Sequence, residues 1–599
     1  MLIIHKAVRA ARRRRFLAGT ALLAAVSVAG ALSLGEGVPL TPDEQVELWV
    51  GQIVLQQFGT PIEPGRPECR IAKDVAIMFA PGVSESFKQR IMRRAGGGTG
   101  GPGVYFQIRT RWTRTATNPS TGGLGNPITI TYSFVPDGTF IPNVGLGQGP
   151  SNLQARLTAQ FGGNAALWRQ KFAEAFGRWG QVTGITFFEE NDDGAPLHGS
   201  SGFLGVRGDV RISGFGYTTG ILAYNFFPNN GDMVLNTNIN WGNSGANWRL
   251  LRNTVMHEHG HGFGLNHVDP VNGTKLMERF LNTNFDGPQD DDIQGGQRLY
   301  GDPKENNDSN GSSYNLGTVT NGMAVEFLST DDDFDRDWYR VIVPAGKVLA
   351  ITAAPVGRIY LQGPVGGQTT WRNSKAINDL QIRAYNNNGT VLLGFANDTG
   401  RGVNEVLLNV VPPPDNIVKV NIDDATPLAN DIQRYRLIFN LSPLTESFVP
   451  ESFTIIRGLL LSGGLPDLFF SDDSRLVVRT AVFAPSIEPP VQIEVVGTSP
   501  TESPSELRFR FEGMASRDLI ERRISLYNYV TQSYEELHVA FAATSDEVVE
   551  IVITSNPSRF VEPGTGQVKS LMTWKAAAFS FFTGWNVGTD QTIWTVTHP

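Results

Sequence analysis

The sequence predicts a multidomain protein in which an α+β unit is followed by two all-β sandwich units. The chain has 599 residues, far more than a single hydrophobic core accommodates, so several domains are expected. Its 66 glycines and 35 prolines punctuate short runs of Val, Ile, Thr and Phe, the pattern of strands joined by turns. Between residues 104 and 301 the pattern changes. There, strand-like runs over 128–134, 184–189 and 208–213 alternate with a helical period around 167–182 and with a second helix that carries a cluster of histidines.

In chain order, residues 1–31 hold six basic residues and no acid (Lys6, Arg9 and Arg12 to Arg15), an apolar stretch from Phe16 to Val28 and a small-residue end at Ala29-Gly30-Ala31. These are the parts of a signal peptide. Arg13-Arg14-Arg15-Phe16-Leu17 is similar to a twin-arginine export signal, so two export routes stay open. The competing reading is an uncleaved membrane anchor, for which the apolar stretch is short; no stable membrane insertion is expected once the signal is removed. Residues 32–103 form a leader or pro-segment with amphipathic helical patterns over 42–50 and 87–94, ending in a Gly-rich linker. The α+β unit occupies 104–301. From about Lys304 nearly every pattern is a short alternating strand, and a second all-β unit starts near Ser442, which divides the rest into 302–442 and 443–599.

The formal net charge is −8, and it becomes −14 once the basic first 31 residues are set aside. An acidic body of this kind argues against nucleic-acid binding. A lone cysteine, Cys69, excludes an intramolecular disulfide and any Cys-rich metal cluster.

Only eight histidines occur in the chain, and four fall between 257 and 267. In His257-Glu258-His259-Gly260-His261 the outer pair is spaced i, i+4, so on a helix both rings lie on one face about 6 Å apart along the axis, close enough to share one zinc ion. A catalytic zinc takes three protein ligands and keeps a fourth position open. Gly264 can end the helix in a left-handed conformation and turn the chain so that His267 supplies the third ligand. Glu258, beside the first ligand, is placed to act as general base on a zinc-activated water. His259, at i+2, points away from that face and is assigned to the surface or to packing.

His257-Glu258-x-x-His261-x-x-Gly264-x-x-His267 is the metzincin signature, and its surroundings resemble the matrixins, the matrix metalloproteinase family. Gly262-Phe263-Gly264-Leu265-Asn266-His267 resembles their glycine-leucine stretch, Met277 their Met-turn, and the segment from Asp290 to Gly301 their closing helix. Ile128 to Phe134 is similar to their first strand, and Ala223-Tyr224-Asn225-Phe226-Phe227-Pro228 to the segment before their upper edge strand. The resemblance covers about 105–301. It implies a twisted, mostly parallel sheet with helices, one catalytic zinc, and protein or peptide substrates cut by a secreted endopeptidase. Departures are visible as well: Tyr224 stands where the family has a histidine, Val234-Leu235-Asn236 also lacks one, Val268 replaces the usual serine, and Glu278-Arg279 replaces the usual tyrosine-proline. A second, structural zinc is therefore not expected, and Ser213 to Gly220 lacks recognisable calcium-loop acids.

Cys69 is a candidate zymogen switch, since a thiolate can fill the open position of a zinc. Arg66-Pro67-Glu68-Cys69-Arg70 lacks the family's arginine-cysteine-glycine core, and an ordinary thiol is the competing reading. Residues 304–309, 335–341, 343–347 and 435–437 resemble the bacterial pre-peptidase C-terminal domain, a β-sandwich appended to secreted peptidases. Asp331-Asp332-Asp333 with Asp335 and Asp337 form a candidate Ca2+ site or a solvated acidic loop. Tyr527, Tyr529, Trp574, Trp585 and Trp594 either face outward, offering carbohydrate or cell-surface contact, or fill a core. Two rival functions stand beside the peptidase: a surface adhesion or binding protein with a vestigial peptidase domain, and a zinc hydrolase acting on other substrates.

Overall fold

The computed structural model describes residues 75–84 and 106–599, apart from 200, 218–219, 334, 429–430, 481–487 and 578–583. The signal segment 1–31, the expected leader helices over 42–50 and 87–94, Cys69 and the Gly-rich tract lie outside the described residues.

The first unit contains β1 (Val75–Phe79), β2 (Ile128–Phe134), a short hairpin of β3 (Phe140–Ile141) and β4 (Gly149–Pro150), β5 (Ile185–Glu189), β6 (Val210–Phe215), β7 (Ile221–Phe226), β8 (Met233–Asn236) and β9 (Val268–Asp269), with helices α1 (Leu153–Gln160), α2 (Ala165–Val182), α3 (Gly245–Phe263) and α4 (Asp290–Tyr300). Six of the strands form one sheet in the order β1-β7-β8-β6-β2-β5. The pairs β5/β2, β2/β6 and β6/β8 are parallel, whereas β8/β7 and β7/β1 are antiparallel. β1 comes from the segment expected to be leader. All five of its residues are apolar and buried, and such a run has no alternation that would mark it as an edge strand in advance.

Helix α2 shows how this sequence builds the core. Trp168, Phe172, Ala175, Phe176, Trp179 and Val182 recur at helical spacing and all are buried. The Asn164 side chain caps the first turn by accepting from the Leu167 N–H at 3.0 Å. The helix stops at Thr183, whose backbone is extended, and Gly184 then passes so close to α4 that a Cβ there would lie 2.2 Å from the Tyr300 carbonyl oxygen. Tyr132 stacks flat on Phe176 at 4.3 Å, joining the helix to β2.

Beyond α4 the protein is built of strands. A five-stranded sheet, running from Tyr314–Thr318 at one edge to Leu392–Ala396 at the other, faces a four-stranded sheet centred on Lys347–Pro355 and Gln433–Pro443, and the two share one buried cluster with Tyr339, Ile351, Val420 and Phe439 in it. A further six-stranded and five-stranded pair shares a second cluster that contains Trp574, Trp585 and Trp594. Those three tryptophans are core, so none of them forms a sugar-stacking platform. Tyr527 and Tyr529 are half-buried and pack edge to face.

The first sandwich also reaches back. Its strand Ile359–Pro364 pairs with β9, placing Gly363 opposite Asp269 and Pro364 opposite Val268, immediately after His267. Among the described residues no helix is long and apolar enough to cross a membrane.

Candidate active site and acidic centre

His257 and His261 sit one turn apart on α3, which stops at Gly264. That residue has φ +126°, a conformation that side chains rarely adopt, and a Cβ on it would fall 1.8 Å from the Thr110 carbonyl oxygen. The Leu265 N–H closes the end by donating to the Gly260 carbonyl at 2.8 Å, and the reversed chain brings His267 back. The three Nε2 atoms then lie 3.1 Å (257 to 261), 3.1 Å (261 to 267) and 3.2 Å (257 to 267) apart. Three ligands about 2.0–2.1 Å from a tetrahedral zinc would be separated by about 3.3 Å, so the donor set fits that ion. Nδ1 of His257 lies 2.7 Å from the Leu276 carbonyl oxygen and Nδ1 of His261 2.7 Å from that of Leu265; donating there, each ring leaves its Nε2 lone pair toward the shared point. Burial pushes the His257 imidazole down to about 4 and holds His261 and His267 well below their ordinary value, which keeps them in the neutral form that binds metal.

Glu258 is fully buried, neither of its carboxylate oxygens has a full hydrogen-bond partner, and burial raises its pKa well above the usual carboxylate range. Met277 lies against the helix between His257 and His261. A Cβ at Gly260 would come within 2.5 Å of its sulfur, so the glycine is what lets the Met-turn approach. His259 turns inward and packs edge to face on Phe176, Phe187 and Phe263, with burial holding it down to about 3. Its role is packing and not the surface.

The matrixin family model (peptidase M10) matches residues 156–301. Residues 156–301 are a matrixin domain. The chain is similar to metalloendoproteinase 4-MMP of Arabidopsis thaliana, with 28% identity over 213 residues covering 34% of this chain and 52% of that protein. It is similar also to stromelysin-3 of Homo sapiens, with 32% identity over 139 residues covering 22% and 28%, and to matrix metalloproteinase-16 of Rattus norvegicus, with 32% over 151 residues covering 22% and 24%. The chain thus spans about half the length of the plant relative and about a quarter of the two mammalian ones. Among solved structures, the xylan-binding module CBM15 aligns at 8% identity over 26% of this chain and 96% of that chain with a TM-score of 0.18, too low to carry an argument.

Several residues that support the matrixin site carry no signal in the sequence. Asp292, in the first turn of α4, accepts from the backbone N–H groups of Leu276 (2.7 Å), Met277 (2.9 Å) and Gln289 (2.8 Å) and so pins the Met-turn; burial raises it to about 6. Glu278, where the family has tyrosine, is buried, pairs with Lys275 at 3.1 Å and accepts from the Gly273, Thr274 and Lys275 N–H groups. Arg279 pairs with Asp269 at 2.8 Å. Tyr224, at the family's histidine position, is buried among Tyr217 and Phe226.

β1 lies between β7, its neighbour in the sheet, and the segment that follows Met277, where Phe79 bridges to Phe280. On the side of that segment the Phe79 N–H donates to the Arg279 carbonyl at 3.1 Å, and the Phe79 carbonyl accepts from Leu281 at 3.4 Å; on the β7 side the Ala80 N–H donates to the Gly220 carbonyl at 2.9 Å.

A second concentration of ligand atoms lies where the matrixin domain meets the first sandwich. Carboxylate oxygens of Asp302, Glu305 and Asp337 come within 4.8 Å of one another, as do those of Glu305, Asp331 and Asp335. Asp302, Asp331, Asp335 and Asp337 are buried, which corrects the reading of this stretch as a solvated loop for Asp331, Asp335 and Asp337. Asp332 and Asp333 stand outside both groups, and Asp333 pairs with Arg298 at 2.9 Å. Asp302 and Glu305 are additions that the run of aspartates did not announce. Burial raises Asp302 to about 7, and burial followed by repulsion from the neighbouring aspartates holds Asp331, Asp335 and Asp337 well above their usual value. The fully buried Asn307 donates to Asp337 at 3.0 Å, while its own carbonyl oxygen is left without a partner.

Gly264→Ala is expected to cost about 1–3 kcal/mol of stability, the range for a residue forced into such a conformation, and to weaken zinc binding by displacing His267. Thermal unfolding and zinc titration of the variant check both.

Proposed function

We propose that the matrixin domain is a zinc-dependent endopeptidase with His257, His261 and His267 as ligands, Glu258 as general base and Met277 as the floor of the site. The observation that carries this is the convergence of three neutral Nε2 atoms to 3.1–3.2 Å next to the fully buried Glu258 carboxylate. Zinc held there supplies the Lewis acidity that polarises a peptide carbonyl and acidifies water. Glu258 takes a proton from the attacking water and passes it to the leaving amine. The apolar surroundings exclude bulk water and strengthen each of these interactions.

Half-buried Glu305 and the four buried carboxylates around it, Asp302, Asp331, Asp335 and Asp337, are read as a Ca2+ site, because a hard cation relieves their repulsion and the unpartnered side-chain carbonyl of Asn307 offers a further oxygen ligand. Residues 1–31 support export, by the twin-arginine route or ordinary secretion, and the sandwiches are read as modules for substrate or surface contact.

The test is cleavage of a diverse peptide library by the zinc-loaded full chain and by a Phe79→Asp variant, which loosens β1 beside the segment that follows Met277. Cleavage lost on chelation and restored by zinc is expected. Zinc held at the triad with no cleavage by either protein would overturn the peptidase reading.

A further inference from the structure

Helix α4 touches both backbone segments that set the three histidines, and its end runs into the acidic centre. In its first turn Asp292 accepts from the Leu276 and Met277 N–H groups, and the Leu276 carbonyl oxygen is the one that lies 2.7 Å from His257 Nδ1. At its last residue the Tyr300 hydroxyl donates to the carbonyl of Phe263, where α3 ends, at 2.7 Å and accepts from the Trp112 N–H at 2.9 Å. The Trp112 indole N–H donates in turn to the Gly262 carbonyl at 2.8 Å. Both carbonyls belong to the turn between His261 and His267. Midway along α4 a Cβ at Gly295 would fall 2.8 Å from the Leu265 side chain in that same turn.

Two residues beyond Tyr300 stands Asp302. Its N–H donates to the Asp331 carboxylate at 3.1 Å, and its own carboxylate accepts from the Ser329 N–H at 2.9 Å, so it ties the end of α4 to the first sandwich. The carboxylates lie on both sides of this seam: Asp302 and Glu305 follow α4, whereas Asp331, Asp335 and Asp337 belong to the sandwich. Unscreened, their repulsion parts the two sides where α4 ends; a divalent cation draws them together. The Asn307 side chain, fully buried and with its carbonyl oxygen unpartnered, is a neutral ligand of the kind such a cation takes beside carboxylates.

We propose that the acidic centre controls the histidine triad: Ca2+ held there tightens zinc binding by His257, His261 and His267 through α4, and zinc tightens Ca2+ binding by the same factor. This rests on the Ca2+ reading of the centre and on the triad as zinc ligands. With the seam drawn together, Asp292 and Tyr300 are fixed at the two ends of one helix, and the Leu276 carbonyl and the turn at Gly264 are ordered before zinc arrives. Zinc then meets less of the ordering cost, which makes the two ions cooperative, and linkage makes the effect reciprocal. The strength of the zinc site is thereby set in part by Asp331, Asp335 and Asp337, which lie outside the matrixin domain.

Isothermal titration calorimetry on the metal-free full chain tests this, with the first equivalent of zinc added in the absence and presence of saturating Ca2+, and Ca2+ added to metal-free and zinc-loaded protein. Both Kd values are expected to fall by one common factor, about 5–150-fold. A variant carrying Asp335→Asn and Asp337→Asn should not bind Ca2+ and should bind zinc with a single Kd whether or not Ca2+ is present. Tyr300→Phe should bind both ions with the common factor reduced. Hydrogen exchange on the parent chain gives a readout without zinc: Ca2+ alone should slow the Gly264 and Leu265 amides, which donate to the Gly260 carbonyl at 3.1 and 2.8 Å. Ca2+ that binds without changing the zinc Kd, a Ca2+ effect that survives in the double variant, or full coupling in Tyr300→Phe would each overturn the proposal and leave the Ca2+ site standing. Absence of Ca2+ binding would overturn both.

Discussion

Glu258→Gln is expected to lower kcat/KM by about 10²–10⁴-fold, the usual contribution of a positioned general base, while leaving the fold and the zinc affinity in place. The substitution keeps the shape of the side chain and removes only its ability to accept and return a proton. Neither Glu258 oxygen has a full hydrogen-bond partner, so no structural bond is lost, and a fully buried carboxylate with a strongly raised pKa gives up a desolvation cost when it becomes an amide. Thermal unfolding should therefore show a midpoint equal to or above that of the parent. Activity within tenfold of the parent would remove Glu258 from the reaction; a collapsed midpoint would show that its role is structural.

Calcium is expected to raise the thermal midpoint by an amount that grows with pH. Without a bound cation, the carboxylates of Asp302, Asp331, Asp335 and Asp337 have folded-state pKa values above the unfolded values of about 4. Groups shifted upward in this way favour the fold while protonated. Their contribution is complete below about pH 4 and is lost as pH climbs through the folded values, which for Asp302 means about 7. Chelated protein should thus lose stability between pH 5 and 8. A divalent cation reverses the sign because it requires the ionised form, and at a hundredfold excess over its Kd it contributes about 2.7 kcal/mol, about 5–10 °C for a unit of this size. Differential scanning calorimetry with and without calcium at pH 5 and pH 8 checks the prediction. Equal midpoints at both pH values would empty the cluster of that role.

How much of this was legible beforehand follows the distance over which the information is spread. The strand over 128–134 and the helix over 167–182 announce themselves, because their periodicity is local and their apolar faces meet the largest core. The histidine cluster is equally local: helical spacing aligns two rings and Gly264 returns the third. Helical spacing alone allows His259 either packing or the surface, because the rings that receive it come from α2, β5 and its own helix. Other features required the tertiary fold. Asp302 and Asp335 are 33 positions apart and meet only because the sandwich folds back on the end of α4. Asp292 reads as an N-terminal helix acid, which it is, and nothing near it in sequence says that it also holds Leu276 and Met277. β1 is a plain apolar run, and only the tertiary fold places it at the edge of the sheet beside β7.

The pairing of β9 with Ile359–Pro364 makes the sandwich something other than cargo. Around it, Arg434 and Arg358 both meet Asp290 at the start of α4, at 2.8 and 3.0 Å, Tyr360 donates to Gln294 at 3.1 Å, Gln297 donates to the Phe327 carbonyl at 2.6 Å, and Arg298 donates to the Asp331 carbonyl at 3.0 Å. A fragment ending at Gly301 would leave α4 with its charged and amide side chains facing nothing, and α4 is the helix whose Asp292 steadies the Met-turn. Nature's usual economy of interchangeable parts, in which a binding domain is swapped while the enzyme stays whole, is closed to this pair. Joining this sandwich to another catalytic unit, or this unit to another sandwich, would carry the seam's mismatches directly to the segment around Met277 and the three histidines.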